Sequence, residues 1–484
     1  MGTILGRSTT LFVGERGVVV ERDIVVEPDI VVEPGTAEAI VVAWVERELG
    51  GRVRSIAPQA RWRPVWFVDL ETDDGVLELC VRGDRTDMAL IFPLDHEMRF
   101  QHLLHTHGVR TARVYGWIPE LPAYVMGRVP GRPDFEGCPA DERDAVVDDY
   151  LALLVRLHSL PVEPFVAAGI TRADDPDASG EVGIARYEAV YRRQKNHPDP
   201  FMEFCLGWLH RHPTHSHGRE TPVVWDSGQF HHADGAITAV LDVELGHLGD
   251  PLMDLAGWRM RDSIIGYGDF DRLYARYEEL GGVPVDLDAV RRHHVAFTLT
   301  NQLVFSAALH DPPPGSDLMT NLQWCRETNL YATEALAEIL DLELPSVETP
   351  EPRRSLATPA HQHQVALLRS TEVDDEYVRY QLRASFRMAR HLQRVDEIGE
   401  AVAGADLDDL HELLDHRPDT WHDGEAELER FVLGDVDTGR HDEALVALFH
   451  RRNLRAQMLL GPEGSAMTRH TRIQPFGSSA GRGP

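Results

Sequence analysis

The chain has 484 residues, too many for one hydrophobic core and enough for two or three domains. Its 79 acidic side chains against 48 basic ones give a formal net charge of −31, which repels nucleic acid and anionic membranes and excludes both as partners. No export signal and no apolar run of about eighteen residues is found, and Cys80, Cys138, Cys205 and Cys325 lack metal-type spacing, so reduced thiols and a cytoplasmic location are expected.

In chain order, residues 1–35 hold a direct repeat, Asp23-Ile24-Val25-Val26-Glu27-Pro28 then Asp29-Ile30-Val31-Val32-Glu33-Pro34. Prolines at that spacing forbid a long central strand, so the segment reads as a disordered leader or a short edge ribbon. Thr36 opens a helix with Ile40, Val41, Trp44 and Val45 on one side, ending at Gly50-Gly51. Two alternating runs, Val65 to Leu70 and Val76 to Val81, face each other across the Asp73-Asp74-Gly75 turn. A helix from Asp95 to His107 and a strand from Ala123 to Met126 complete a sheet-rich unit over 36–128, and Val129-Pro130-Gly131 reads as a hinge. From there to residue 345 the pattern is mostly helical, over Asp141 to Leu160, Val182 to His210 and Phe270 to Leu344, so the class is α+β. A Pro- and Glu-rich linker, 346–357, leads to a helical module over 358–465 with no catalytic motif, read as a small bundle that packs on the preceding unit or mediates assembly with a second copy or a protein partner. The Gly-, Ser- and Arg-rich tail, 466–484, is expected to be disordered.

Chemistry is concentrated between Val223 and Asp254. Asp226 opens a polar loop, Ala233-Asp234-Gly235 makes a turn, and the apolar run from Ala236 to Leu241 ends on Asp242, a hairpin with an acid at each end. Such a hairpin sets two carboxylates at the mouth of a cleft, one to orient an attacking hydroxyl and one to hold Mg²⁺ against nucleotide phosphates; phosphoryl transfer asks little else of a protein. With Gly249-Asp250-Pro251 and Asp254-Leu255-Ala256 behind them, these residues resemble the aminoglycoside phosphotransferase and choline kinase family, a branch of the protein-kinase-like fold. That family's segment runs His-Gly-Asp, four residues, Asn, then a strand ending in Asp. The likeness extends roughly from Thr36 to Pro345 and is strongest to the phosphotransferase-like domains that stand alone in bacteria or are fused to acyl-CoA dehydrogenases.

The resemblance implies a bilobal fold with a small β-rich N-lobe for the nucleotide and a helical C-lobe for catalysis and the acceptor. Asp226 matches the catalytic acid–base group, and Asp242 matches the metal-binding aspartate, a hard oxygen ligand suited to Mg²⁺. The loop between them is shorter than the family's, so the Asn position falls on His231 or Gln229; Gln229 is favoured, since imidazole is a poor Mg²⁺ ligand. Arg82 stands where the family's strand cation reaches the α- and β-phosphates, and Glu97 is its helix partner. Asp254 is expected to accept N–H bonds from the Trp225–Gly228 loop, with Asp250 as further structural support. Three departures stand out: Pro58 to Pro64 contains neither glycine nor serine, Arg82 replaces lysine, and Val224-Trp225 replaces His-Gly. The first reading is a phosphotransferase using Mg²⁺ and ATP or GTP on a small hydroxylated molecule. A cationic or polyol-like acceptor would suit Glu244, Asp250 and Asp262 near the cleft, and a hydroxyacyl thioester is the rival. The second is a catalytically weak pseudokinase that binds a protein partner through the helical module.

Overall fold

The computed structural model describes residues 33, 35–59, 63–84, 91–314 and 316–477. The amino-terminal repeat, apart from Glu33, and the centre of the Pro58–Pro64 loop lie outside the described residues.

The first lobe consists of α1 (Ala37–Leu49), β1 (Arg52–Pro58), β2 (Val65–Thr72), β3 (Gly75–Gly83), α2 (Leu94–Thr106), β4 (Val114–Ile118) and β5 (Ala123–Gly127). Thr36 caps α1, its hydroxyl accepting the Ala39 N–H at 3.3 Å. The five strands form one antiparallel sheet in the order β1-β2-β3-β5-β4. Val68, Leu70, Leu79, Val81 and Val125 pack on Val41, Trp44 and Val45 of α1, whereas α2 directs Phe100 and Leu104 into the core of the second lobe. Sequence alternation did not single out β1, an edge strand with only Val53 buried, nor the short β4.

The second lobe contains α3 (Ala140–His158), α4 (Glu163–Ala167), α5 (Val182–Gln194), α6 (Pro200–Arg211), β6 (Thr221–Val223), β7 (Phe230–Ala233), β8 (Ala236–Val240), β9 (His247–Gly249), α7 (Leu252–Ile265), α8 (Phe270–Glu279), α9 (Leu287–Thr298), α10 (Thr300–His310) and α11 (Leu318–Leu340). β7 and β8 make a hairpin whose turn residues Asp234 and Gly235 have φ of 51° and 77°, the left-handed pair of a tight two-residue connection. Backbone bonds between Arg132 and His232 pin the inter-lobe segment to this hairpin.

Four more helices follow: α12 (Thr358–Ser370), α13 (Glu376–Leu414), α14 (Trp421–Asp435) and α15 (Asp442–Met458). α13 runs unbroken for 39 residues; Gly399 and Gly404 interrupt its apolar pattern without leaving helical backbone. Phe449 of α15 meets Phe201 and Phe204 at centroid distances of 5.1 and 5.5 Å, and Leu428, Val432 and Leu445 enter the same core, so these helices share the hydrophobic interior of the second lobe. The carboxy-terminal segment corrects an expectation: residues 466–477, read as disordered, follow a packed path. Glu334 accepts from His470 Nε2 at 2.7 Å and the Ile473 N–H at 3.0 Å, and the Arg259 guanidinium lies 3.9 Å from the Phe476 ring centre. A buried carboxylate and a cation on distant helices give this stretch partners that its own composition does not reveal. The four cysteines are free thiols, and no helix among the described residues is long and apolar enough to cross a membrane.

Candidate active site

A buried acid shapes the loop that carries Asp226. α7 starts directly after Gly249-Asp250-Pro251, which places Asp254 in its first turn, fully buried, where its carboxylate accepts the Trp225 N–H at 2.6 Å and the Val224 N–H at 3.3 Å. His158 Nε2 reaches the same carboxylate at 3.0 Å, and its Nδ1 meets the Tyr277 hydroxyl at 2.8 Å. Asp250 accepts the Leu252 N–H at 2.9 Å and pairs with Arg219 at 3.1 Å. Trp225, where the resemblance calls for glycine, has φ of 59°, a conformation costing a bulky residue on the order of 1–3 kcal/mol. Burial of its indole against Tyr187 and Phe297 offsets that strain, and Gly183 makes the room, since a Cβ there would stand 2.3 Å from the ring. Gly257 lets α7 lie against the loop: a Cβ would come within 2.1 Å of the Trp225 carbonyl oxygen.

Each acid of the hairpin is held by an arginine. Asp226 is gripped by Arg261, with Nε at 2.9 Å from Oδ1 and Nη2 at 2.6 Å from both oxygens, and it accepts from the Gln229 amide nitrogen at 2.7 Å. Burial raises the Asp226 carboxyl above the usual aspartate range, with Arg261 opposing. Sequence reasoning missed Arg261, although it follows Asp254 by seven positions on α7 and so shares its face, a signal the pattern did contain. Asp242 sits past the end of β8 with φ and ψ both 53° and receives Arg82 Nη2 at 2.7 Å. Arg82 also pairs with Glu97 at 2.7 Å and Glu244 at 3.2 Å. Arg63 adds contacts to Glu97 at 3.4 Å and Glu244 at 3.1 Å, and Tyr124 donates to Glu97 at 2.9 Å. One network of two arginines and three acids thus joins the lobes. Burial works against the Asp242 charge, but Arg82 and Arg63 outweigh it and hold its carboxyl below the usual range. Glu244 goes the other way, pushed up to about 7 by burial and then by the Asp242 charge.

Asp226, Gln229, Asp242, Glu244 and Arg261 line a cavity of about 820 Å³. Phe297, Phe305, Trp324 and Glu327 also line it, as do Ala466, Arg469 and Thr471 of the carboxy-terminal segment. Asp250 and Asp262 correct the acceptor expectation built on them: both are buried away from the cavity, Asp250 on Arg219 and its own turn, Asp262 on the Tyr267 N–H at 2.6 Å. The donor set fits Mg²⁺, which takes one or two carboxylates and completes its octahedron with water and substrate phosphate. Asp242 and Glu244 offer such oxygens, and Gln229, using its amide nitrogen on Asp226, leaves its carbonyl oxygen for a cation. Among the described residues, no three His, Cys, Asp or Glu gather into an all-protein metal cage.

An antiparallel five-stranded lobe, a helical lobe and an acid-bearing hairpin in the second of them make up a two-lobed, kinase-like fold. Residues 62–293 match the model of the phosphotransferase enzyme family, and this segment is a domain of that family. The chain is similar to mouse (Mus musculus) acyl-CoA dehydrogenase family member 10, 25% identical over 213 residues, which are 40% of this chain and 19% of that protein. It therefore spans about a fifth of that relative's length. Among solved structures, macrolide 2′-phosphotransferase MphH from Brachybacterium faecium is 20% identical, covering 56% of this chain and 98% of that one, with a TM-score of 0.39. An aminoglycoside phosphotransferase from Streptomyces rimosus in complex with ADP and streptomycin is 15% identical, covering 54% and 98%, with a TM-score of 0.39.

Proposed function

We propose that the chain is a Mg²⁺-dependent phosphotransferase that moves the γ-phosphoryl group of ATP or GTP to a hydroxyl of a small molecule. The observation that carries this reading is the convergence, on one cavity, of Asp226, Gln229 and Asp242 from the hairpin region, with the Arg82–Glu97 pair of the first lobe meeting Asp242. In the reaction the acceptor oxygen forms a bond to the γ-phosphorus, the bond from that phosphorus to the bridging oxygen breaks, and its electron pair leaves on the nucleoside diphosphate. Asp226 orients the hydroxyl and takes its proton. Arg82 keeps Glu97 and gives up its contacts with Asp242 and Glu244 for the α- and β-phosphates, and Asp242 and Gln229 would hold the metal, which would supply neutralisation of phosphate charge. Arg82 and Arg63 supply cations on the side where the family relies on a glycine-rich loop.

A second reading rests on one observation, that arginines occupy both Asp226 and Asp242, and makes the chain a catalytically weak module with a protein partner. Thermal unfolding with ATP or GTP, with and without Mg²⁺, separates the two. Native-state binding at a hundred times Kd adds about 2.7 kcal/mol, and a Mg²⁺-dependent rise lost in Asp242→Asn supports the phosphotransferase. Asparagine tolerates the left-handed backbone at 242, so that variant changes charge without adding strain. No shift at millimolar nucleotide favours the second reading.

A further inference from the structure

Four hydrogen bonds converge on the Asp226 carboxylate: three from Arg261 and one from Gln229. A carboxylate offers about four lone-pair positions, so an acceptor hydroxyl cannot donate to Asp226 until one of these donors gives way. Gln229 lies three residues from Asp226 on the same loop, whereas Arg261 reaches in on a long side chain from α7, itself about a quarter exposed toward the cavity. Arg261 is therefore the donor free to move.

Its direction of movement is restricted. The Arg261 guanidinium stands on the cavity wall shared by Asp226 and Asp242, and its charge is stabilised by both, Asp226 directly and Asp242 at longer range. On the phosphotransferase reading, the transferring phosphorus must lie between the acceptor oxygen at Asp226 and the metal at Asp242. Negative charge spreads over its three equatorial oxygens in the transition state, next to a planar cation that has just lost a carboxylate contact.

We propose that Arg261 is a catalytic residue: it covers Asp226 in the empty site and, when an acceptor hydroxyl takes its place, donates to the equatorial oxygens of the phosphoryl group in flight. This inference rests on the phosphotransferase reading and gives it an arginine supplied from within the chain. No bond to Arg261 forms or breaks; the proton still passes to Asp226 and the electron pair to the leaving diphosphate.

The test needs no acceptor. Mg·ADP and Mg·ADP with aluminium fluoride, an analogue of the phosphoryl group in flight, are titrated into the full-length chain and into Arg261→Gln and Arg261→Lys. The wild type is expected to bind the fluoride complex at least about a hundredfold more tightly than Mg·ADP. Arg261→Gln should lose at least about tenfold of that increment while its Mg·ADP affinity stays within about twofold, with Arg261→Lys, a point charge lacking the planar fork, between the two. A purely structural role would change both affinities together. Should Arg261→Gln fail to fold, Arg261→Lys decides alone, again by the increment. An unchanged increment in the folded variant, or a wild type that binds Mg·ADP without any fluoride increment, overturns the inference and leaves the phosphotransferase reading standing. A wild type that does not bind Mg·ADP overturns both.

Discussion

Arg261 grips Asp226 alone, on a carboxylate that faces an open cavity, whereas Arg82 lies in a closed network with Glu97, Asp242 and Glu244 that also takes in Arg63. Glu97 and Arg63 are each only 3% exposed, so this second cluster forms part of the joint between the lobes. An ion pair on the cavity wall can be exchanged for a ligand at small cost to the fold, as can the contacts of Arg82 with Asp242 and Glu244, but the pairing of Arg82 with buried Glu97 cannot be lost without stranding a charge. The two arginines should therefore separate when perturbed, Arg82 dominating stability and Arg261 dominating chemistry.

The largest expected effect is at Arg82. Arg82→Met strands the Glu97 carboxylate beside Asp242 and Glu244 with only Arg63 to answer three acids, and should destabilise the chain by about 3–5 kcal/mol in urea unfolding. Arg261→Met, which leaves Asp226 open to cavity water, should cost on the order of 1 kcal/mol. Equal losses would mean that the two clusters are energetically alike and would remove the contrast.

Next comes Asp254→Ala, which takes away the acceptor for two backbone N–H groups and for His158 with no water at hand, since the carboxylate is fully buried. A loss of about 2–4 kcal/mol follows from the stranded donors, and the Trp225 amide should exchange with solvent faster. A stable variant with unchanged exchange at Trp225 would show that the loop holds its left-handed turn by indole packing alone.

How far the sequence disclosed this arrangement depends on whether partners share a local pattern. The hairpin between Asp226 and Asp242 was legible from its turn and its β-branched run, as were the β2–β3 pair and the Thr36 cap, because each is written within a few residues. Arg82 and Glu97 could be paired through the family resemblance, and they do meet at 2.7 Å. Arg261 lies 35 residues from Asp226, with only its helical register to Asp254 as a hint, and Glu334 lies 136 from His470 with no local signature at all, so the covered state of the acid and the packed carboxy-terminal wall emerge in three dimensions. Composition misled at residues 466–477, since the glycines and serines of the 466–484 tail lie almost wholly beyond them, while His470, Ile473 and Phe476 find partners on distant helices.

The last effect is the most selective. A carboxyl whose native pKa is raised binds its proton more tightly folded than unfolded, so the stability it contributes is complete below the unfolded value of 4.5 and is lost as pH rises through about 7, the native value for Glu244. A shift of that size bounds the loss at roughly 3 kcal/mol, and ion pairing with Arg63 and Arg82 as Glu244 ionises is already part of that balance. Asp242 has the opposite sign: with its native pKa lowered, its contribution is present above the unfolded value of 3.8 and disappears as pH falls through the native one. The two acids share Arg82 yet respond in separate windows, one between about pH 4.5 and 7 and the other below 3.8. Glu244→Gln, a neutral amide at every pH, should therefore gain on the wild type between pH 5 and pH 8 in denaturant titrations and leave the acid limb below pH 4 unchanged. If wild type and variant keep a constant stability difference from pH 5 to pH 8, Glu244 ionises normally in the folded chain, and the network carries its three negative charges without strain.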